Sequence, residues 1–301
     1  MAIKAIMCDV DGTLLNSQGV VSPYTIEQIK KIKAQGVLFG LATGRDVHSV
    51  KNQLERWGIG GLVDAIVGTG GAEIADFQLN VEKSSFPLDG NVIRQVIRHY
   101  EDLDVNFAIP WQGELYAPKD DRLIQRLSRV DHIPYHVVDY EEFLNQPRPK
   151  VMIVCDPETM ERVVARSHTF TVPKTKSAGL ITASVLFEYM DPRVSKTQGL
   201  KEIMALHGFT MDELCTFGDA DNDYDMTMNA GMGVVMANGS EKTKSAADAI
   251  TDDNDHDGVG KFIAEHLLTS KENLNDPSFR RNDGSFSLTF LLLSLRLRLF
   301  F

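Results

Sequence analysis

Two short acidic segments lie far apart in this chain: Asp9-Val10-Asp11-Gly12-Thr13 near its start and Gly218-Asp219-Ala220-Asp221-Asn222-Asp223 in its last third. Carboxylates grouped this way can hold a hard divalent cation, offer a nucleophilic oxygen or move a proton. Two other features have complementary chemistry. Thr43-Gly44-Arg45 brings a hydroxyl, backbone amides and a guanidinium, and Lys196 brings an ammonium. A phosphate monoester is a dianion that repels any nucleophile. Its displacement needs a nucleophile, a metal, donors for the phosphoryl oxygens, a basic group and an acid for the leaving oxygen. This sequence holds a candidate for each.

Competing chemistries fail on spacing. A helix–loop–helix calcium loop needs glycine at its sixth position and glutamate at its twelfth; counted from Asp9 these are Leu14 and Val20, and from Asp219 they are Tyr224 and Ala230. A phosphate-binding loop ending at Gly260-Lys261 would need glycine where Asp255 stands and a hydroxyl where Phe262 stands. The dinucleotide fingerprint breaks at Glu73 and at Met236. A cysteine phosphatase needs arginine six residues past the thiol, and those positions hold Leu14, Glu161 and Asp221.

The elements that must position these groups alternate. Residues 3–8 form an apolar run that ends in the first acidic turn, as a buried parallel strand does. Ser22 and Pro23 read as N-cap and first residue of a helix closed by Gly36. Residues 37–42 predict the next strand, Val47, Val50, Leu54 and Trp57 a helix, and 64–67 a third strand. This βαβαβ series predicts an α/β fold, a doubly wound parallel sheet with a Rossmann-like core, whose ligands sit beyond the carboxyl ends of its strands. From about Ser84 the pattern changes to an α+β module, and the core pattern resumes near Asp191. The expected organisation is a core at 1–83, an inserted cap at 84–190, the rest of the core at 191–270, and a tail at 271–301 of no assigned role.

Composition limits the partners. Among 301 residues, 43% are hydrophobic, enough for real cores, and the formal charge of -11 argues against nucleic acid or an anionic membrane as partner. Cys8, Cys155 and Cys215 are scattered and odd in number, which fits a reducing compartment. No run suits a signal peptide or a spanning helix, so a cytoplasmic protein is expected. Nothing in the sequence sets an oligomeric state.

Taken together, DVDGT at Asp9, LATGR with Thr43, Lys196 in RVSKTQGL and GDADND at Asp219 resemble the haloacid dehalogenase superfamily. Their order and the inserted module resemble its Cof-type branch, which carries a large α/β cap. The resemblance covers residues 1–270 and implies a Mg2+-dependent phosphatase of small phosphorylated metabolites (sugar phosphates or phosphorylated cofactors) working through an aspartyl-phosphate. It also implies roles. Asp9 would be the nucleophile. Asp11 would be the acid and then the base, its backbone carbonyl reaching the metal. Asp219 would be a metal ligand and Asp223 would support it. The Val10 amide, Thr43, the Gly44 amide and Asn222 would bind the phosphoryl oxygens, and Lys196 would offset charge. A phosphomutase and a non-catalytic phosphometabolite binder are the alternatives. One departure stands out: where the branch reads Asn-Gly-Ala, this chain reads Thr69-Gly70-Gly71-Ala72.

Several residues keep two readings at this point. Lys196 is a charge offset or a solvated helix start, Asp223 a metal support or a helix cap, and Arg45 a phosphate clamp or a salt-bridge partner. The run at 252–258 is a metal cluster or a solvated loop. Trp111, Tyr116 and His136 are candidate substrate contacts that no spacing singles out.

Overall fold

The computed structural model describes residues 2–171, 176–183 and 185–268; the tail at 271–301 lies outside them. In chain order the strands are β1 (Ala5–Cys8), β2 (Leu38–Ala42), β3 (Ala65–Gly68), β4 (Glu73–Asp76), β5 (Val81–Ser84), β6 (Asn106–Trp111), β7 (Glu114–Ala117), β8 (Tyr135–Val137), β9 (Val151–Val154), β10 (Lys176–Ala183), β11 (Leu186–Met190), β12 (Leu214–Gly218), β13 (Met232–Met236) and β14 (Ala249–Thr251). The helices are α1 (Pro23–Ala34), α2 (Val47–Gln53), α3 (Gly90–Tyr100), α4 (Arg122–Asp131), α5 (Tyr140–Phe143), α6 (Pro157–Ser167), α7 (Lys196–Leu206), α8 (Tyr224–Asn229), α9 (Glu241–Lys244) and α10 (Gly258–Phe262).

Eight strands form the first sheet in the order β14-β13-β12-β1-β2-β3-β4-β5. The pairings from β14 to β3 are parallel, and β4 and β5 continue the sheet antiparallel. Strands β1, β2, β3 and β12 are buried along their whole length because helices cover both faces. On one face Ile6, Cys8, Phe39, Leu41 and Phe217 pack with Ile29 and Ile32 of α1 and Val50 of α2. On the other, Ala5, Met7, Ala65 and Val67 pack with Leu200 and Ile203 of α7 and Met226 of α8. The α/β architecture is the expected one. The β4–β5 hairpin is an addition, hard to read because β5 is largely exposed and shows no apolar face.

The second sheet, β10-β11-β9-β6-β7-β8, is built between β5 and α7 and has cores of its own. Phe107, Ile109, Val151 and Tyr189 pack beneath α3 and α6, while Ala108, Leu115 and Met152 pack beneath α4. This unit lies over the first sheet, with the backbone of β10 against the turn at Asp221–Asp223. Among the described residues no helix is long and apolar enough to cross a membrane.

Candidate active site

Strands β12, β1 and β2 are parallel neighbours, so the turns that leave their carboxyl ends meet at one sheet edge. Asp9 follows β1, and its amide donates to the Phe217 carbonyl on β12 (2.9 Å). Gly12 closes the turn with φ +83°, and a Cβ there would stand 2.6 Å from Asp219 Oδ2, so only glycine lets the two acidic turns approach so closely. The Thr13 hydroxyl donates to Asp219 Oδ1 (2.6 Å). Val10 is buried, and its carbonyl accepts from the amides of Leu14 and Leu15.

Asp9, Asp219 and Asp223 each place a carboxylate oxygen within 4.8 Å of the other two. Lys196 enters from the first turn of α7, only 4% exposed, and donates to Asp9 Oδ1 (2.5 Å) and Asp223 Oδ1 (2.6 Å). It is therefore no solvated helix start. The second oxygen of Asp223 accepts from the amides of Asp219 (2.9 Å) and Ala220 (3.0 Å), so its carboxylate braces the loop that carries Asp219.

Electrostatics reflect the crowding. Burial pushes the Asp219 carboxyl up to about 6; the Thr13 hydrogen bond opposes this and the Asp223 charge adds to it. Asp9 is raised well above the carboxylate range, first by burial; Lys196 opposes the shift, and Asp223 and Asp219 reinforce it. Three acidic side chains against one ammonium leave negative charge that a divalent cation would balance. Asn222 Oδ1 is buried with no hydrogen-bond partner, a further oxygen acceptor in the same turn. An all-oxygen donor set fits a hard ion such as Mg2+.

The remaining expected residues sit beside this cluster rather than in it. The Asp11 carboxylate, 55% exposed, turns to the rim, where Arg45 grips it through Nε (2.8 Å) and Nη2 (3.0 Å). Of the two readings of Arg45, the salt bridge is the one observed, and it extends to Asp131 Oδ1 at 3.3 Å. Thr43 is buried, with its hydroxyl accepting from the Arg45 amide (3.2 Å). The turn after β3 supports this loop: Thr69 N donates to the Arg45 carbonyl (2.7 Å) and Gly70 N to the Thr43 carbonyl (3.0 Å).

Thr13 was not singled out from the sequence, although it falls inside the first acidic segment, and the Thr69–Gly71 turn stood out only as a departure, with no role given to it. The acidic run at 252–258 is occupied by the chain itself. Asp253 Oδ1 accepts from the amides of Asp255 and His256, and Asp255 accepts from Ser17 N. Tyr116 stacks between His136 and Phe143, and Arg148 lies over Phe143 and Trp111, so these aromatic groups pack on one another.

An α/β sheet whose strand ends gather an aspartate triad, a buried lysine and a threonine loop defines a class of phosphoryl-handling enzymes. The chain belongs to the haloacid dehalogenase-like hydrolases, with residues 6–263 matching that family, and it is a phosphatase. It is 28% identical over 275 residues to YxeH of Bacillus subtilis, covering 88% of this chain and 98% of that protein. It is 26% identical over 269 residues to the 5-amino-6-(5-phospho-D-ribitylamino)uracil phosphatase YitU of the same organism, covering 87% and 97%. A haloacid dehalogenase-like hydrolase from Bacteroides thetaiotaomicron superposes with a TM-score of 0.77 at 25% identity, covering 87% of this chain and 98% of that one.

Proposed function

We propose that this phosphatase hydrolyses small phosphorylated metabolites of the sugar- or polyol-phosphate kind with Mg2+, through a phosphoryl group carried on Asp9. The observation that carries the reading is the convergence of Asp9, Asp219 and Asp223 around Lys196. The ribityl phosphate in the name of YitU supports the substrate class.

Asp9 and Asp219, with the backbone carbonyl of Asp11, would hold the ion, and Asp223 would support them by fixing the Asp219 loop and Lys196. Bound Mg2+ would neutralise the carboxylates and stabilise charge developing on the phosphoryl oxygens. An Asp9 oxygen forms the new bond to phosphorus as the bond to the leaving oxygen breaks, and Asp11, released from Arg45 and carrying a proton taken from solvent, gives that oxygen its proton. Asp11 then takes a proton from water, whose oxygen attacks phosphorus and frees Asp9. Thr43, the Gly44 and Val10 amides and Asn222 serve as phosphoryl contacts, and Lys196 offsets charge between Asp9 and the phosphate. The unit over the sheet edge would exclude bulk water and select the leaving group.

A screen of phosphorylated metabolites with Mg2+, reading phosphate release, tests the activity. Asp9→Asn is expected to lower kcat by at least about a thousandfold, because it removes the nucleophile. Phosphate release by that variant at the unsubstituted rate would end the assignment.

A further inference from the structure

The loop expected to receive the phosphate is also where the second sheet's unit rests. Lys150 Nζ donates to the Gly44 carbonyl (2.9 Å), Arg45 reaches Asp131, and Gly113 N donates to Asp46 Oδ1 (2.9 Å). The Lys150 contact is the most demanding of these. Its side chain is 2% exposed and is balanced by Glu188, 4% exposed, at 2.7 Å. Burying such a pair costs desolvation that two apolar residues of similar volume would avoid, so packing alone gives no reason for it. The reason lies in what the ammonium touches.

The peptide that receives Lys150 at its oxygen carries the Arg45 N–H at its other end, and that N–H donates to Thr43 Oγ1 (3.2 Å). The result is one continuous chain: Glu188 carboxylate, Lys150 ammonium, Gly44–Arg45 peptide, Thr43 hydroxyl. Hydrogen bonds in series polarise one another, so an ammonium at the carbonyl strengthens the amide as a donor. A hydroxyl whose oxygen already accepts has its own hydrogen turned away from that donor and free for another acceptor. Resting on the reading of Thr43 as a phosphoryl contact, we propose that Lys150, held by Glu188, is a positioning residue for the Thr43 hydroxyl, so that the phosphate donors are complete only when the overlying unit is docked.

A double-mutant cycle tests this, using inorganic phosphate as the probe in turnover inhibition and in direct titration with Mg2+ present. Lys150→Met with Glu188→Gln removes both charges without stranding one, and a thermal melt checks that it folds. If it does not fold, Lys150→Gln, which keeps a neutral donor against Glu188, takes its place. The substitution is expected to weaken phosphate binding about five- to tenfold and to raise KM more than it lowers kcat. In a Thr43→Val background it is expected to weaken binding by less than about twofold, because the hydroxyl it acts through is gone. Lys150→Arg, which keeps the charge, is expected to recover phosphate binding to within about threefold. Equal weakening with and without the Thr43 hydroxyl, or none in a folded variant, overturns the inference alone. Phosphate binding indifferent to Thr43→Val overturns both the Thr43 assignment and the inference. An unsubstituted protein that neither binds phosphate nor releases it overturns the phosphatase reading itself.

Discussion

At Asp219 the price of gathering carboxylates is visible in one side chain. Burial and the neighbouring Asp223 hold its carboxyl near 6 against an ordinary value of 3.8, despite the Thr13 hydrogen bond. A carboxyl raised on folding favours the folded state fully below its ordinary value, and that contribution is lost as pH rises through the folded value. In the metal-free protein the loss falls between about pH 4 and pH 6. Above that window the ionised cluster needs a cation, whereas below it protons compete with the cation for the same oxygens. The gap in melting midpoint between Mg2+-loaded and chelator-treated protein is therefore expected to be small at pH 5. It should widen through pH 6 to several degrees, on the order expected for one or two kcal/mol of linked binding. A gap that stays flat from pH 5 to pH 8 would show that Asp219 does not meet the ion.

Among the elements, the turn from Thr69 to Gly71 controls how α7 approaches the sheet. Gly71 sits at φ +112°, and a Cβ there would lie 1.9 Å from the carbonyl oxygen of Ser195, the N-cap of α7. Gly71→Ala must either move α7 or unwind the turn. We expect about 2–4 kcal/mol of destabilisation in urea and a loss of turnover, because Lys196 is the first residue of that helix. A variant of normal stability and rate would mean the turn absorbs the methyl group freely. This turn contains the departure Thr69-Gly70-Gly71, and it shows where sequence legibility stops. The strand at residues 3–8, the Ser22-Pro23 helix start and the acidic turns were readable because each is signalled within a few residues. Gly71 needs glycine because of a residue more than a hundred positions later. Lys150 looks like any surface lysine until Glu188 and Gly44 are brought to it by tertiary contact. The β4–β5 hairpin lacked the apolar alternation by which an edge strand is recognised.

For the whole molecule, the seam between the two sheets differs from the cores it joins. A small apolar cluster of Ala72, Met190 and Val194 lies where the chain crosses between units, and the contacts of the overlying unit with Gly44, Arg45 and Asp46 named above are polar hydrogen bonds. A cavity of about 400 Å³ runs along that seam, lined by Ser49, Gln53, Gly113 and Ile133 among others. Polar, loosely filled contacts of this kind suit units that separate and re-dock, because little apolar area is exposed when they part. Asp131 stands at the centre of the seam: Gln53 Nε2 donates to its carbonyl at 2.7 Å, and Arg45 reaches both its carbonyl and its carboxylate. Asp131→Ala removes only the carboxylate contact, a partly exposed pair worth about 1 kcal/mol or less, and should raise KM no more than about fivefold. Adding Gln53→Ala also removes the shorter of the two bonds to the carbonyl and leaves only the longer one from Arg45. The pair is expected to raise KM further and to speed amide exchange around Gly113 and Ile133, with the unfolding midpoint hardly changed because neither core is touched. If exchange at the seam and KM both stay at their unsubstituted values in the double variant, Asp131 does not hold the units together, and docking rests on the other bonds to the 43–53 segment, from Lys150 to Gly44 and from Gly113 to Asp46.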